Sequence, residues 1–310
     1  MLHDFTISDY GALNTARHHA LFLHNQSVLT RGPAALVRRA LLAPLCALTG
    51  VHTAVSAEEG LILQAQRFAG RSLAALVFLA PQAAASGAVL TGVVEYMLKQ
   101  LGPHGVQGIF AELDEHSAAN AALQQAGLSV QTHQRVWRLT RTPQAGYDDL
   151  LWQPHLNRHT LAVGLLRNRL IPVQLQHLDC GSADTHDSFV LYEGGQLAAF
   201  ADVQRGPKGI WVQLLIEPGH ALADRLMALM LRLRPRPGRP VYVCVRAYQD
   251  WLEPVLEGLD AQPGPRQAVL VRRMVQPIKV KDLQKIAKAA GVEASTIQFP
   301  VQPTATMDEK

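Results

Sequence analysis

Leu73-Ala74-Ala75-Leu76-Val77-Phe78-Leu79-Ala80-Pro81-Gln82-Ala83-Ala84-Ala85-Ser86-Gly87 opens with eight apolar residues and runs into small ones. Residues 72–94 carry no charge, a length that could cross a bilayer. Pro81, Gln82, Ser86 and Gly87 sit in the middle of it, and much of the rest is alanine. A span does not account for these breakers. A buried strand over 73–79, a loop, and a helix over 88–101 carrying Glu95 and Lys99 account for each of them. The stretch therefore reads as strand–loop–helix, and no membrane association is expected.

Working outward, a hairpin precedes this unit: a strand at Thr53-Ala54-Val55, a turn at Glu58-Glu59-Gly60, and a strand over 61–68. The same pattern recurs downstream, with Phe189-Val190-Leu191, a turn at Glu193-Gly194-Gly195 and a strand over 196–203. The segments beyond each hairpin match as well. The central strand ends in Leu79-Ala80-Pro81 in one copy and Ile216-Glu217-Pro218 in the other. Helices over 89–101 and 222–233 come next, then strands over 108–113 and 241–246. Helices over 118–127 and 250–258 and last strands over 134–139 and 267–272 complete each copy. The separation stays near 135 residues and the order never changes, so the chain is a repeat. Each copy opens with helical patterning, over 8–23 and 33–48 in the first and over 156–175, broken by Pro172, in the second.

One antiparallel hairpin with two β–α–β crossovers predicts an α/β fold whose sheet is mixed and mostly antiparallel, flanked by helices. The polar Pro/Gly stretch over 140–146 divides a first domain, 1–141, from a second, 148–276. A basic helix and tail over 277–310 follow. At 310 residues, 48% hydrophobic and 17% charged, the chain is long and apolar enough for two cores. Cys46, Cys180 and Cys244 show neither disulfide nor metal spacing, and no secretory signal opens the chain, so a reducing, cytoplasmic location is expected.

These residues resemble the GNAT superfamily, the acetyl-CoA-dependent N-acyltransferases, in its tandem form. The resemblance covers residues 8–275 and implies two GNAT-like domains. In that family a loop of the form Q/R-x-x-G-x-G/A after the fourth strand, with the helix behind it, cradles the CoA pyrophosphate. The matching positions here are Leu79, Gln82, Ala85, Ser86 and Gly87, with Ala85 where the first glycine would stand. Ala126-Gly127-Leu128 matches the end of the family's next helix, and Leu123 occupies its usual tyrosine position. In the second copy the loop shortens to Gly219-His220-Ala221, so any acetyl-CoA or other acyl-CoA is expected in the first domain alone. The resemblance implies an acyl-CoA-dependent N-acyltransferase with weakened motifs, acting on a small-molecule or peptide amine. The alternative is a non-catalytic tandem module that binds a ligand or a protein.

Amine acylation needs a group to take the amine's proton. Glu112, near the end of a strand, is the candidate base, and His116 the candidate acid in place of the missing tyrosine. The plain alternative is a solvated acidic loop. His155 and His159 at i, i+4 lack the glutamate of a zinc helix, and the His/Asp-rich loop over 177–187 shows no ligand spacing, so no metal is assigned. Residues 282–297 are similar to a helix-turn-helix core but lack a third helix, and no nucleic-acid partner is expected.

Overall fold

The computed structural model describes residues 1–139, 151–178, 187–219, 221–236 and 238–274. Met1–Met274 form one compact unit. The linker over 140–146, most of the His/Asp-rich loop and the 277–310 tail lie outside the described residues.

The first copy contains β1 (Leu2–Asp4), α1 (Tyr10–Ala16), β2 (Leu21–Phe22), α2 (Asn25–Arg31), α3 (Pro33–Arg38) and α4 (Cys46–Thr49). β3 (Val51–Ser56), β4 (Leu61–Gln66), β5 (Leu73–Ala80), α5 (Gly87–Leu101), β6 (Gly108–Asp114), α6 (Ala118–Gln125) and β7 (Ser129–Leu139) come after them. The second contains β8 (Gln153–Pro154), α7 (Thr160–Leu170), β9 (Phe189–Glu193), β10 (Gln196–Arg205) and β11 (Ile210–Ile216). It closes with α8 (Leu222–Leu233), β12 (Val241–Arg246), α9 (Leu252–Gly258) and β13 (Gln262–Arg273). From β3 and from β9 onward the two copies share one order, β–β–β–α–β–α–β. The uncharged stretch over 72–94 is β5, its loop and the first half of α5. No helix among the described residues is long and apolar enough to cross a membrane.

Among the described residues a single sheet runs β1-β3-β4-β5-β6-β13-β7-β12-β11-β10-β9-β8. Only β5–β6 and β11–β12 are parallel, as their helical crossovers require. Each copy hands its last strand to the other: β13 lies beside β6 and β7 beside β12. β7 and β13 then pair antiparallel, with Gln134 facing Gln267. The copies adjacent in sequence are thus interlocked in space.

One face of the sheet is covered by α5 and α6 in the first copy and by α8 and α9 in the second. On α5, Leu90, Val93, Val94, Met97, Leu98 and Leu101 form the buried stripe at helical spacing. Each such side chain contributes roughly 1.5–3 kcal/mol of burial. The other face is shared. One apolar cluster gathers Val163 and Leu166 of α7 with Phe200 and Leu215 of its own copy and Ala75, Phe110 and Val269 on β5, β6 and β13. Reciprocally, Leu29 of α2 packs on Val136, Trp211 and Cys244. Gly206, in the β10–β11 turn, lets α2 dock, because a Cβ there would lie 2.2 Å from Thr30 O.

The N-terminal helical expectations need correction. Helix α1 gives way to a 3-10 turn over Arg17–His19, and Leu21-Phe22, inside the expected helix over 8–23, form strand β2. Strand β5 offers a free edge there, and pairing with it satisfies backbone groups that a helix would have satisfied internally. The helix expected over 33–48 is two short helices around a 3-10 segment, Arg39–Leu45, that contains Pro44.

Candidate functional site

Strands β5 and β6 pair only from Leu73↔Gly108 to Ala75↔Phe110 and then diverge. Beyond that point lies a wedge, with the Pro81–Gly87 loop and the start of α5 at its mouth. Gln82–Ala84 make a 3-10 turn and Ser86 is the N-cap residue of α5. The first intrahelical bond runs from Leu90 N to Ser86 O, 2.9 Å, so the amides of Gly87, Ala88 and Val89 point ahead of the helix. Ala85 sits at φ −80°, so its methyl imposes no backbone strain. Leu79 is buried in the sheet, whereas Gln82 and Ser86 are exposed on the loop. Leu123, where the resemblance would place a tyrosine, lies on α6 and is wholly buried in the cluster that joins α5, α6 and the sheet.

The wedge is not empty. Leu21 pairs with Leu79 and Phe22 with Phe78. Leu23 N donates to Val77 O (2.9 Å), and Glu112 N donates to Leu23 O (2.7 Å). Residues 21–23 thus bridge the diverging strands as a short inserted strand, at a place where sequence patterning predicts a helix. Only the apolar run Leu21-Phe22-Leu23 next to a histidine hints at it.

Immediately after this segment, Asn25 covers the candidate base. Glu112 is 4% exposed, and its Oε2 accepts from Asn25 N (3.0 Å) and Asn25 Nδ2 (3.1 Å). Its Oε1 lies 3.9 Å from Arg246 Nη2. Arg246 Nη1 donates to Gln134 Oε1, Gln134 Nε2 to Gln267 Oε1 (3.0 Å), and Gln267 Nε2 to Asn25 Oδ1 (3.2 Å). The contacts close a ring of five side chains from α2, β6, β7, β12 and β13, where the two copies meet. Composition gives no sign of it, because the partners are more than 80 residues apart or on exchanged strands. His116 is elsewhere. Its ring is 88% exposed and pairs with Glu115 at 3.5 Å, away from the Glu112 ring.

The second copy differs at the same places. Its parallel pair ends at Gln213↔Cys244. Among the described residues no strand enters the divergence beyond. Its loop begins with Glu217, which is ion-paired to Arg169 at 2.9 Å. His155 and His159 meet edge to face with ring centres 6.0 Å apart, and His177 Nδ1 lies 2.8 Å from Arg273 Nη2. Among the described residues no three His, Cys, Asp or Glu side chains converge as a metal site would need.

No family model matches the chain, and no curated protein matches it in sequence. Solved structures do match in fold. A GCN5-related N-acetyltransferase from Sphaerobacter thermophilus superposes with a TM-score of 0.53 at 12% identity, over 90% of this chain and 97% of its own. A Pyrococcus horikoshii protein carrying the name of an acetyltransferase gives 0.51 at 11% identity, over 89% of each chain. The fold is that of the GNAT acetyltransferases.

Proposed function

We propose that the protein is an acyl-CoA-dependent N-acyltransferase whose donor site lies in the first copy and is closed by residues 21–25. The observation that carries this reading is the wedge between β5 and β6, with the amides of Gly87, Ala88 and Val89 at its mouth. Such amides suit a pyrophosphate, and the β5 edge, once residues 21–23 leave it, suits the amide-bearing arm of the carrier. The equivalent loop of the second copy, with Glu217 at its start, suits neither. Transfer then consists of amine attack on the thioester carbon, loss of the thiolate, and removal of the amine's proton. The proton acceptor proposed is Glu112. It can act only once Asn25 withdraws, since Asn25 supplies two of its hydrogen bonds. One displacement therefore frees both the donor groove and the carboxylate. The acceptor is proposed to be a small-molecule or peptide amine. A non-catalytic binding module has one observation in its favour, the same inserted segment left in place.

Equilibrium binding of acetyl-CoA tests the site. A Cβ at Gly87 would meet the Gln125 side chain at 1.9 Å, whereas at Gly219 no atom lies nearer than 4.0 Å. Gly87→Val should abolish binding and Gly219→Val should spare it. Equal effects would remove the site from the first copy. Hydrogen exchange tests the opening, because donor binding should accelerate exchange at the amides of Leu23 and Glu112. Thiol release with an amine panel, lost on Glu112→Gln, would establish catalysis. Binding without turnover on any amine would leave the module reading.

A further inference from the structure

A second pocket of about 490 Å³ lies on the shared face, beside the segment that fills the wedge, since Phe68 in its wall lies 5.5 Å from the His24 ring. It sits between α2, the segment after α3, the β4–β5 loop and strand β10. Four arginines line it, Arg31, Arg39, Arg67 and Arg71, and the charge facing them is Asp202. Gln26, Gln66 and Gln204 add amides, and Gln26 donates to Gln204 across the pocket.

Arginines brought together normally hold carboxylates. Arg67 Nη2 donates to Ala47 O (3.3 Å), and the Arg71 guanidinium lies 5.3 Å from the Phe68 ring centre. Among the described residues the Arg31 and Arg39 guanidinium groups take no hydrogen bond or ion pair. Both are half-buried. Burial, followed by the Arg31 charge, pushes the Arg39 guanidinium down to about 10, so the two positive groups sit in a poorly hydrated site and repel each other. Gln66 is 6% exposed, and its Oε1 is buried without a partner, although its Nε2 donates to Thr49 O and Arg67 O. The site is also built to hold its shape. Gly50 takes φ +66° and would place a Cβ 2.7 Å from Arg67 O. Partly desolvated, mutually repelling guanidinium groups cost folding free energy that a bound anion would offset.

We propose that this pocket binds a small phosphorylated molecule, with Arg31 and Arg39 clamping the phosphoryl group. Planar guanidinium forks match phosphate oxygens two at a time, and the volume suits a ligand of sugar-phosphate to nucleotide size. Asp202, Gln66 and Gln204 are placed to meet hydroxyl or amine groups on the rest of it. The proposal does not depend on the acyltransferase reading.

Thermal unfolding of the full chain, with pyrophosphate, inorganic phosphate or citrate at matched ionic strength, tests it. Pyrophosphate or phosphate should raise Tm and citrate should not. Arg39→Gln should raise Tm without ligand, by removing the repulsion, and should weaken pyrophosphate binding by at least about tenfold. Arg38→Gln, an exposed neighbour bonded to Ala34 O, should do neither. A Tm shift with citrate alone overturns the phosphoryl assignment. No shift with either phosphate, or equal loss in the two variants, overturns the site.

Discussion

His24 shows how one residue connects fold to site. It follows the inserted segment, is 2% exposed, and lies between the rings of Phe68 and Phe110, each 5.5 Å away. Its Nδ1 lies 2.8 Å from Ser27 Oγ. Burial pushes its pKa down to about 4 from the ordinary 6.5, with Arg71, Arg31 and Arg246 adding to the shift and Glu112 opposing it. Because the folded value lies below the unfolded one, the stabilisation is complete above pH 6.5 and is lost as pH falls toward 4. One such group contributes about 1.4 kcal/mol per pH unit across that window, roughly 3 kcal/mol in all. His52, held near 4 by burial and by His104, contributes in the same sense. His24→Gln should therefore flatten the acid limb of a urea-midpoint profile by about one proton without removing it. An unchanged slope between pH 6.5 and 4 would show that His24 is not the titrating group.

At the scale of elements, sequence patterns reveal most where strands and helices bury one face. The β3–β4 hairpin, β5, α5, β6, α8 and β12 follow from apolar runs, turn residues and the 3.6 period, because each buries an apolar face in a core, whichever copy supplies its neighbour. The sites of interlocking are hidden for a physical reason. Strand β7 begins five residues before the expected 134 and β13 five before 267, since these polar extensions are held by a partner strand from the other copy. Helix α2 carries just two apolar residues, Val28 and Leu29, and besides the Leu29 contact it docks through backbone proximity, Lys208 N donating to Thr30 O at 2.9 Å. At the candidate site, the loop over 82–87 is legible as strand–loop–helix punctuation, whereas Asn25 and Arg246 as partners of Glu112 are not. Gly206→Val tests the docking, because its side chain would have to displace Thr30. It should cost on the order of 2 kcal/mol by urea denaturation, against a neutral or slightly stabilising Gly258→Ala, where a Cβ meets nothing within 4 Å. Equal stabilities would mean that α2 can lift from the turn without cost.

For the whole molecule, the exchanged strands decide how stability is distributed. Without β13, strand β6 would lose its partner from Gln267↔Asp114 to Arg273↔Gly108; without β7, strand β12 would lose its partner from Val241↔Leu139 to Arg246↔Gln134. Either copy alone would expose a long apolar strand edge and the inner faces of Phe110, Val269 and Trp211, which are 5%, 0% and 3% exposed. The ring from Arg246 to Glu112 draws on both copies, and breaking such a buried pair from one side costs roughly 3–5 kcal/mol. An intermediate with one copy folded must therefore lose the central β7–β13 pair together with the clusters around α2 and α7. That loss is comparable to the roughly 5–15 kcal/mol that ordinarily separates a folded domain from its unfolded chain. Residues 1–274 should consequently unfold in a single calorimetric transition whose van't Hoff and calorimetric enthalpies agree, although their length would ordinarily suit two domains. Cutting the chain between residues 139 and 151 should leave the two pieces associated and still melting together. Two resolved transitions, or pieces that separate under native conditions, would show that each copy is stable without the other's last strand.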